Sequence, residues 1–262
     1  MKFLRIGDVV ISHDIVGADS GKPAIAFINS LGTDQRIWSQ VVEALSDEFT
    51  LLTFDKRGHG LSDLASPPYQ IENFADDLIA LIEHYGLRNV TLCGLSIGGL
   101  IALSTYDKRP DLIRGLFFAD TAHKIGTPEF WAARIGAVES GGIGSILEPI
   151  MSRWFTGPYR TNGNADYRGY CNMLLRQPVE GYAGACAAIR DADFTDVAKR
   201  IAVPAHCVAG AEDGSTPPEL VRSLADLIPG CGFEIIEGAA HIPCVETPEL
   251  FTGILRRFLS AL

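Results

Sequence analysis

The sequence has no Cys-x-x-Cys pair. Its six cysteines stand apart at positions 93, 171, 186, 207, 231 and 244, which excludes the common zinc and dithiol motifs and any readable disulfide framework. Cys93 and Cys207 lie inside apolar runs, where a free thiol packs as a small hydrophobe, and a reducing compartment suits the pattern. No apolar run approaches the roughly 20 residues of a membrane span. The apolar part of the first six residues is too short for a signal peptide and is broken by Arg5, so a cytoplasmic location is expected. Basic residues are in deficit, with 22 Lys and Arg against 32 Asp and Glu and a formal net charge of −10. That balance argues against nucleic acid or an anionic membrane as partner. It also means that an anionic ligand needs a local cation working against the overall field. Internal repeats and low-complexity segments are missing too. What remains is a 262-residue chain, 47% hydrophobic and 21% charged, the composition of a soluble globular protein large enough for one big domain with an insertion.

Apolar runs alternate with helix-like stretches. Residues 1–16 read as an antiparallel hairpin turning at Gly7-Asp8. Strands are expected at 24–28, 50–54, 90–93, 115–119, 205–209 and 233–236, and helices at 35–45, 71–85, 97–107, 218–227 and 248–262. Such β-α alternation, with strands of nearly continuous Val, Ile, Leu and Phe, predicts an α/β fold with a mostly parallel central sheet flanked by helices. Residues 121–194 break the rhythm. They carry helix starts, with Thr127-Pro128-Glu129 as N-cap, proline and first-turn acid. Ser145 and Glu148 have capping-box spacing, and Pro178 opens a third helix. The span reads as an all-helical cap inserted into a core formed by 1–120 and 195–262.

The stretch Gly94-Leu95-Ser96-Ile97-Gly98 directly follows the apolar run 90–93 and precedes a helical pattern. A serine with glycine two residues away on each side suits a sharp, strained strand-to-helix turn that raises the hydroxyl above a helix N-terminus. A serine hydroxyl becomes a nucleophile only when a base takes its proton, and that base needs an orienting acid. On folds that use this turn the order is serine, acid, histidine. Downstream, the run 207–209 leads into a loop holding Glu212 and Asp213, and Gly238-Ala239-Ala240-His241 follows the last strand. Ser96, Asp213 and His241 are therefore the candidate catalytic residues, with Glu212 as the alternative acid. His13 and His84 read as solvated. Backbone N–H groups of Ile97 and Leu31 are the candidate oxyanion hole. Asp55-Lys56-Arg57-Gly58-His59-Gly60 reads as architecture, a tight turn with an Arg/Asp pair, rather than as chemistry.

These motifs resemble the α/β-hydrolase superfamily along the whole chain. The inserted span narrows the resemblance. The segments 119–129 and 181–193, Arg153-Trp154-Phe155-Thr156 and the loop Asn29-Ser30-Leu31-Gly32-Thr33-Asp34 are similar to those of 3-oxoadipate enol-lactonases. The loop departs from the lipase-like His-Gly in carrying Asn-Ser, which keeps the backbone donor and adds polar side chains. The resemblance implies hydrolysis of 3-oxoadipate enol-lactone in bacterial breakdown of protocatechuate and catechol. It also implies a small anionic lactone as substrate partner, with no metal or organic cofactor, and leaves the oligomeric state open. The substrate carboxylate then calls for a cation. Trp131 and Arg134 share a helix face at i,i+3, so Trp131 can pack on the lactone ring and Arg134 can hold the carboxylate. Arg153 with Trp154 is a second candidate pair, pointing in different directions, and Arg190 a third cation. Against these stands the plain reading that both Trp side chains are core and the Arg side chains solvated.

Other activities share the constellation. A carboxylesterase, a cofactor-free perhydrolase or a C–C bond hydrolase would use the same three residues, whereas dehalogenases and epoxide hydrolases put Asp where Ser96 stands. A non-catalytic small-molecule binding protein on this fold is the alternative of another class, and labelling of Ser96 by a fluorophosphonate separates it from the enzymes.

Overall fold

A computed structural model describes every residue except Asp19. Eight strands form one sheet in the order β1-β2-β4-β3-β5-β6-β7-β8. β1 (Lys2–Ile6) and β2 (Val9–Val16) make the expected hairpin, and β2 pairs antiparallel with β4 (Thr50–Phe54). The remaining pairs are parallel and join β3 (Ala24–Ile28), β5 (Val90–Leu95), β6 (Ile113–Ala119), β7 (Ala205–Gly210) and β8 (Gly232–Ile236). β3, β4 and β5 are buried at every position, as helices on both faces require of a parallel sheet.

The helices are α1 (Ser39–Leu45), α2 (Ile71–His84), α3 (Ile97–Lys108), α4 (Pro128–Gly141), α5 (Leu147–Trp154), α6 (Ala165–Leu175), α7 (Val179–Asp191), α8 (Thr195–Ala198), α9 (Pro218–Leu227), α10 (Pro243–Glu246) and α11 (Pro248–Ser260). In α2, Ile71, Phe74, Leu78, Leu81 and Ile82 are buried, the i, i+3, i+7 spacing of a core-facing stripe. From 121 to 194 the described chain adds helices and no strand to the sheet. The fold itself positions the site. From β3 the chain steps to β4 on one side, and from β5 to β6 on the other. A crevice therefore opens beyond the carboxyl ends of β3 and β5, where ligands bind in open α/β sheets.

Four local expectations are corrected. His13 is buried, not solvated, and its Nε2 bonds the Tyr85 hydroxyl at 2.7 Å. The segment 35–45 is split, with a 3-10 turn over Gln35–Trp38 before α1. Ser145 makes no capping box, because Gly142 ends α4 at a positive φ of 68° and the Ser145 hydroxyl donates back to the Gly142 and Ala137 carbonyls. Arg57 pairs not within its own loop but with Asp77 of α2, through two bonds of 2.8 and 2.7 Å.

Candidate active site

Ser96 joins β5 to α3 with φ 58° and ψ −120°. This is left-handed backbone that a serine adopts only under constraint. The constraint is local packing. A Cβ on Gly94 would strike the Gly98 backbone, and one on Gly98 would strike the Ile28 carbonyl, so the turn closes only with glycine on both sides. The Ser96 N–H donates to the Ala119 carbonyl at 3.0 Å, and Thr121 Oγ1 donates to the Ser96 carbonyl at 2.6 Å. No described group bonds the Ser96 hydroxyl, which faces a cavity of about 200 Å³ also lined by Leu31 and His241. A longer approach of serine to histidine is usual before substrate binds.

Asp213 and His241 come together at the ends of β7 and β8. His241 Nδ1 meets Asp213 Oδ2 at 2.8 Å, and both side chains are buried. Asp213 Oδ1 accepts from the N–H groups of Ser215 and Thr216 at 2.7 and 3.1 Å, and Oδ2 also accepts from Thr216 Oγ1 at 2.7 Å. Burial opposes ionisation of this carboxyl. The attraction of His241 and the bonds from His241, Thr216 and Ser215 outweigh it and hold Asp213 below the usual carboxylate range. Glu212 is exposed, so the alternative acid points away from His241. Thr216 was not singled out from the sequence; its role comes from a turn three residues past the acid.

Asp120 also escapes sequence reasoning. It directly follows β6 with φ 45° and is fully buried. Its Oδ1 accepts from the Gly210 N–H at 2.7 Å, while Oδ2 has no partner among the described residues. Side-chain oxygens of Asp120 and Asp213 and a ring nitrogen of His241 lie within 4.8 Å of one another. Burial first, and the nearby Asp213 charge second, push the Asp120 carboxyl well above its ordinary range. A carboxyl raised in the folded state holds its proton after the unfolded chain has lost it, so it costs stability as pH rises above the ordinary carboxylate range. Asp120→Asn keeps an acceptor for Gly210 and removes that cost. Thermal melts should show the variant more stable than wild type at neutral pH, with the difference vanishing in acid.

The two N–H groups expected to form the oxyanion hole are free among the described residues. Neither Leu31 N–H nor Ile97 N–H donates to another described group. His59, fully buried, accepts from the Gly32 N–H at 3.1 Å through Nε2, so it supports this loop and does not reach the chemistry.

Trp131, Arg134, Arg153 and Trp154 all line the Ser96 cavity, including the pair expected to diverge. Trp131 is buried, and its indole N–H donates to the Ile125 carbonyl at 2.6 Å. The Arg134 and Arg153 guanidinium carbons stand 5.0 and 5.4 Å from the Phe130 ring centre, within cation–π range. Arg134 donates to the Tyr182 hydroxyl at 3.3 Å. Among the described residues neither guanidinium pairs with a carboxylate. Burial and then the charge of Arg134 push Arg153 down. Arg190 instead pairs with its neighbour Asp191 and lies outside the cavity lining. A larger cavity of about 680 Å³, lined in part by Arg36, Asp55 and Gln177, contains none of these groups.

The sequence pattern of the alpha/beta hydrolase family matches residues 25–253. The chain is 32% identical to 3-oxoadipate enol-lactonase 2 of Acinetobacter baylyi, over 97% of this chain and 96% of that protein. The crystal structure of the enol-lactonase from Burkholderia xenovorans superposes with a TM-score of 0.95 at 32% identity, covering 99% of this chain and all of that one (100%). A thermophilic esterase from Thermogutta terrifontis, solved with malate bound, superposes with a TM-score of 0.93 at 29% identity, covering 100% of this chain and 99% of its own.

Proposed function

The chain belongs to the alpha/beta hydrolase family and is a hydrolase of ester or lactone bonds, and from that premise we propose that it opens 3-oxoadipate enol-lactone to 3-oxoadipate through an acyl-enzyme on Ser96. Ser96 Oγ attacks the lactone carbonyl and its proton passes to His241 Nε2. Asp213 holds the Nδ1–H side of the ring and balances the imidazolium charge. The carbonyl oxygen, now negative, takes the Leu31 and Ile97 N–H groups. Collapse breaks the bond to the ring oxygen, which leaves as an enol with the proton from His241 and tautomerises to the ketone. A water, deprotonated by His241, then attacks the acyl carbon and frees Ser96. The helices between β6 and β7 act as the cap that selects the substrate. In this reading the reaction belongs to bacterial breakdown of protocatechuate or catechol.

One observation carries the choice of substrate. In a protein of net charge −10, two guanidiniums with no acidic partner among the described residues line the same small cavity as Ser96. A planar guanidinium suits a carboxylate, and the lactone carries one. Charge-assisted hydrogen bonds contribute about 1.5–3 kcal/mol. Arg134→Ala should therefore lower kcat/KM for the enol-lactone by roughly 10- to 150-fold, at about 1.4 kcal/mol per decade. Turnover of an uncharged aryl ester should stay within about 3-fold, since it has no carboxylate to lose. Equal loss on both substrates would mean a folding defect. No loss on either would move the role to Arg153. The second reading, a broad carboxylesterase, is favoured by the full-length likeness to the Thermogutta esterase; it predicts faster turnover of neutral esters than of the lactone.

A further inference from the structure

Lys56 is buried without any exposed surface, two residues past the end of β4. A lysine ammonium is strongly hydrated, and placing one in the interior is costly unless its donors are used. Its Nζ donates to the Ser30 carbonyl at 2.8 Å and to the Asn29 carbonyl at 3.2 Å. The Ser30 carbonyl also accepts from Thr33 Oγ1 at 2.9 Å.

The Ser30 carbonyl and the Leu31 N–H belong to one peptide group. That group is planar and trans, so its C=O and N–H point in opposite directions, and resonance couples them electronically. With the carbonyl pinned to Lys56 in the interior, the N–H is turned the other way, to the side where Ser30, Leu31 and Ser96 line the cavity. A positive charge on the carbonyl oxygen draws electron density from the nitrogen and makes its N–H a stronger donor, an effect the low-dielectric interior sustains.

We propose that Lys56 is the positioning residue of the oxyanion hole: from beneath the loop after β3 it fixes the Ser30–Leu31 peptide and strengthens the Leu31 N–H that meets the reacting oxygen. The inference rests on acyl transfer at Ser96 but not on which ester or lactone is the substrate. Because negative charge on that oxygen develops only in the transition state, Lys56 acts on kcat and leaves KM nearly unchanged.

The charge can be removed without changing the chain. Burial lowers the Lys56 pKa to about 7, while Asp55 and then Asp34 work to keep its proton on. His59 faces the same amine and is held neutral, by burial and then by the Lys56 charge. Burial raises the Tyr182 phenol and the Cys186 and Cys244 thiols, so these do not titrate in the same range. A neutral amine still has N–H donors for both carbonyls, so the loop geometry persists while the charge disappears. In wild type, kcat should fall as pH rises through about 7, with KM flat.

The test is kcat and KM against pH for wild type, Lys56→Met and Thr33→Val on any ester the wild type turns over, beside phosphonylation rates with a fluorophosphonate and circular-dichroism melts. Lys56→Met should lose kcat by roughly 10- to 100-fold, less than removing an oxyanion donor outright. It should lose phosphonylation in parallel, keep KM within about 3-fold, and lack the falling limb. Thr33→Val removes a neutral clamp on the same carbonyl and should keep that limb. A Lys56→Met enzyme that keeps wild-type kcat would overturn the proposal. So would one that keeps the falling limb. If that variant does not fold, the wild-type profile still decides: no falling limb sinks the proposal. Wild type that is neither labelled nor active would instead remove the acyl-transfer reading on which the inference stands.

Discussion

Ser96→Ala should reduce kcat by roughly 10⁴- to 10⁶-fold, leaving a residue of about 10³-fold over water from the free oxyanion donors and substrate binding. KM should change little, because the hydroxyl gains most in the transition state, and labelling by a fluorophosphonate should vanish. Stability supplies a second readout. Ser96 sits at φ 58°, backbone strain that costs on the order of 1–3 kcal/mol and that alanine retains. Glycine takes this conformation without that strain. Ser96→Gly should therefore be as inactive as Ser96→Ala but should melt at a higher temperature. Equal melting would mean that the turn is not strained.

Asp213→Asn should cost about 10⁴-fold in kcat, with the fold retained. The mechanism is tautomeric. Asp213 Oδ2 lies 2.8 Å from His241 Nδ1, so the carboxylate requires the proton on Nδ1 and leaves Nε2 free to take the serine proton. An amide NH₂ turned to Nδ1 reverses this and puts the ring proton on Nε2. The carboxamide oxygen still accepts from Ser215 and Thr216, so the loop should hold. The pH dependence of stability should change as well. A carboxyl held below the usual range contributes stability above that range and loses it as pH falls through its folded pKa. The variant should lose part of wild type's acid-induced destabilisation. Wild-type kcat in this variant would transfer the acid's role to another residue.

Much of the sheet was legible because burial on both faces demands unbroken apolar runs, and 24–28, 50–54 and 90–93 are such runs. The turn at Ser96 was legible from its context: Gly-x-Ser-x-Gly alone also suits an ordinary tight turn, but here an apolar run precedes it and a helical pattern follows. Legibility failed where a role depends on what lies across the fold. Lys56 reads as one more charge in a turn until β3 and β4 pair and bring it under the Asn29 and Ser30 carbonyls. Asp120 reads as a loop acid until β7 supplies Gly210 and Asp213 beside it. Arg57 was expected to find an acid in its own loop and finds Asp77 on α2 instead. Ser145 has the spacing of a capping box, yet a left-handed glycine upstream turns its hydroxyl to other carbonyls. Trp131 with Arg134 and Arg153 with Trp154 were both named as candidate pairs, but that α4 and α5 bring both guanidiniums to one cavity depends on packing that no local pattern shows.

We propose a serine hydrolase whose cavity takes a carboxylate-bearing enol-lactone. The most direct measurement is kcat/KM of the purified protein for 3-oxoadipate enol-lactone beside a panel of uncharged aryl esters, with 3-oxoadipate identified as product by mass spectrometry. The lactone should be preferred at least 100-fold (about 2.7 kcal/mol, a charge-assisted contact), with stoichiometric release of 3-oxoadipate. Neutral esters turned over as fast as the lactone, or faster, would contradict it and leave a general esterase.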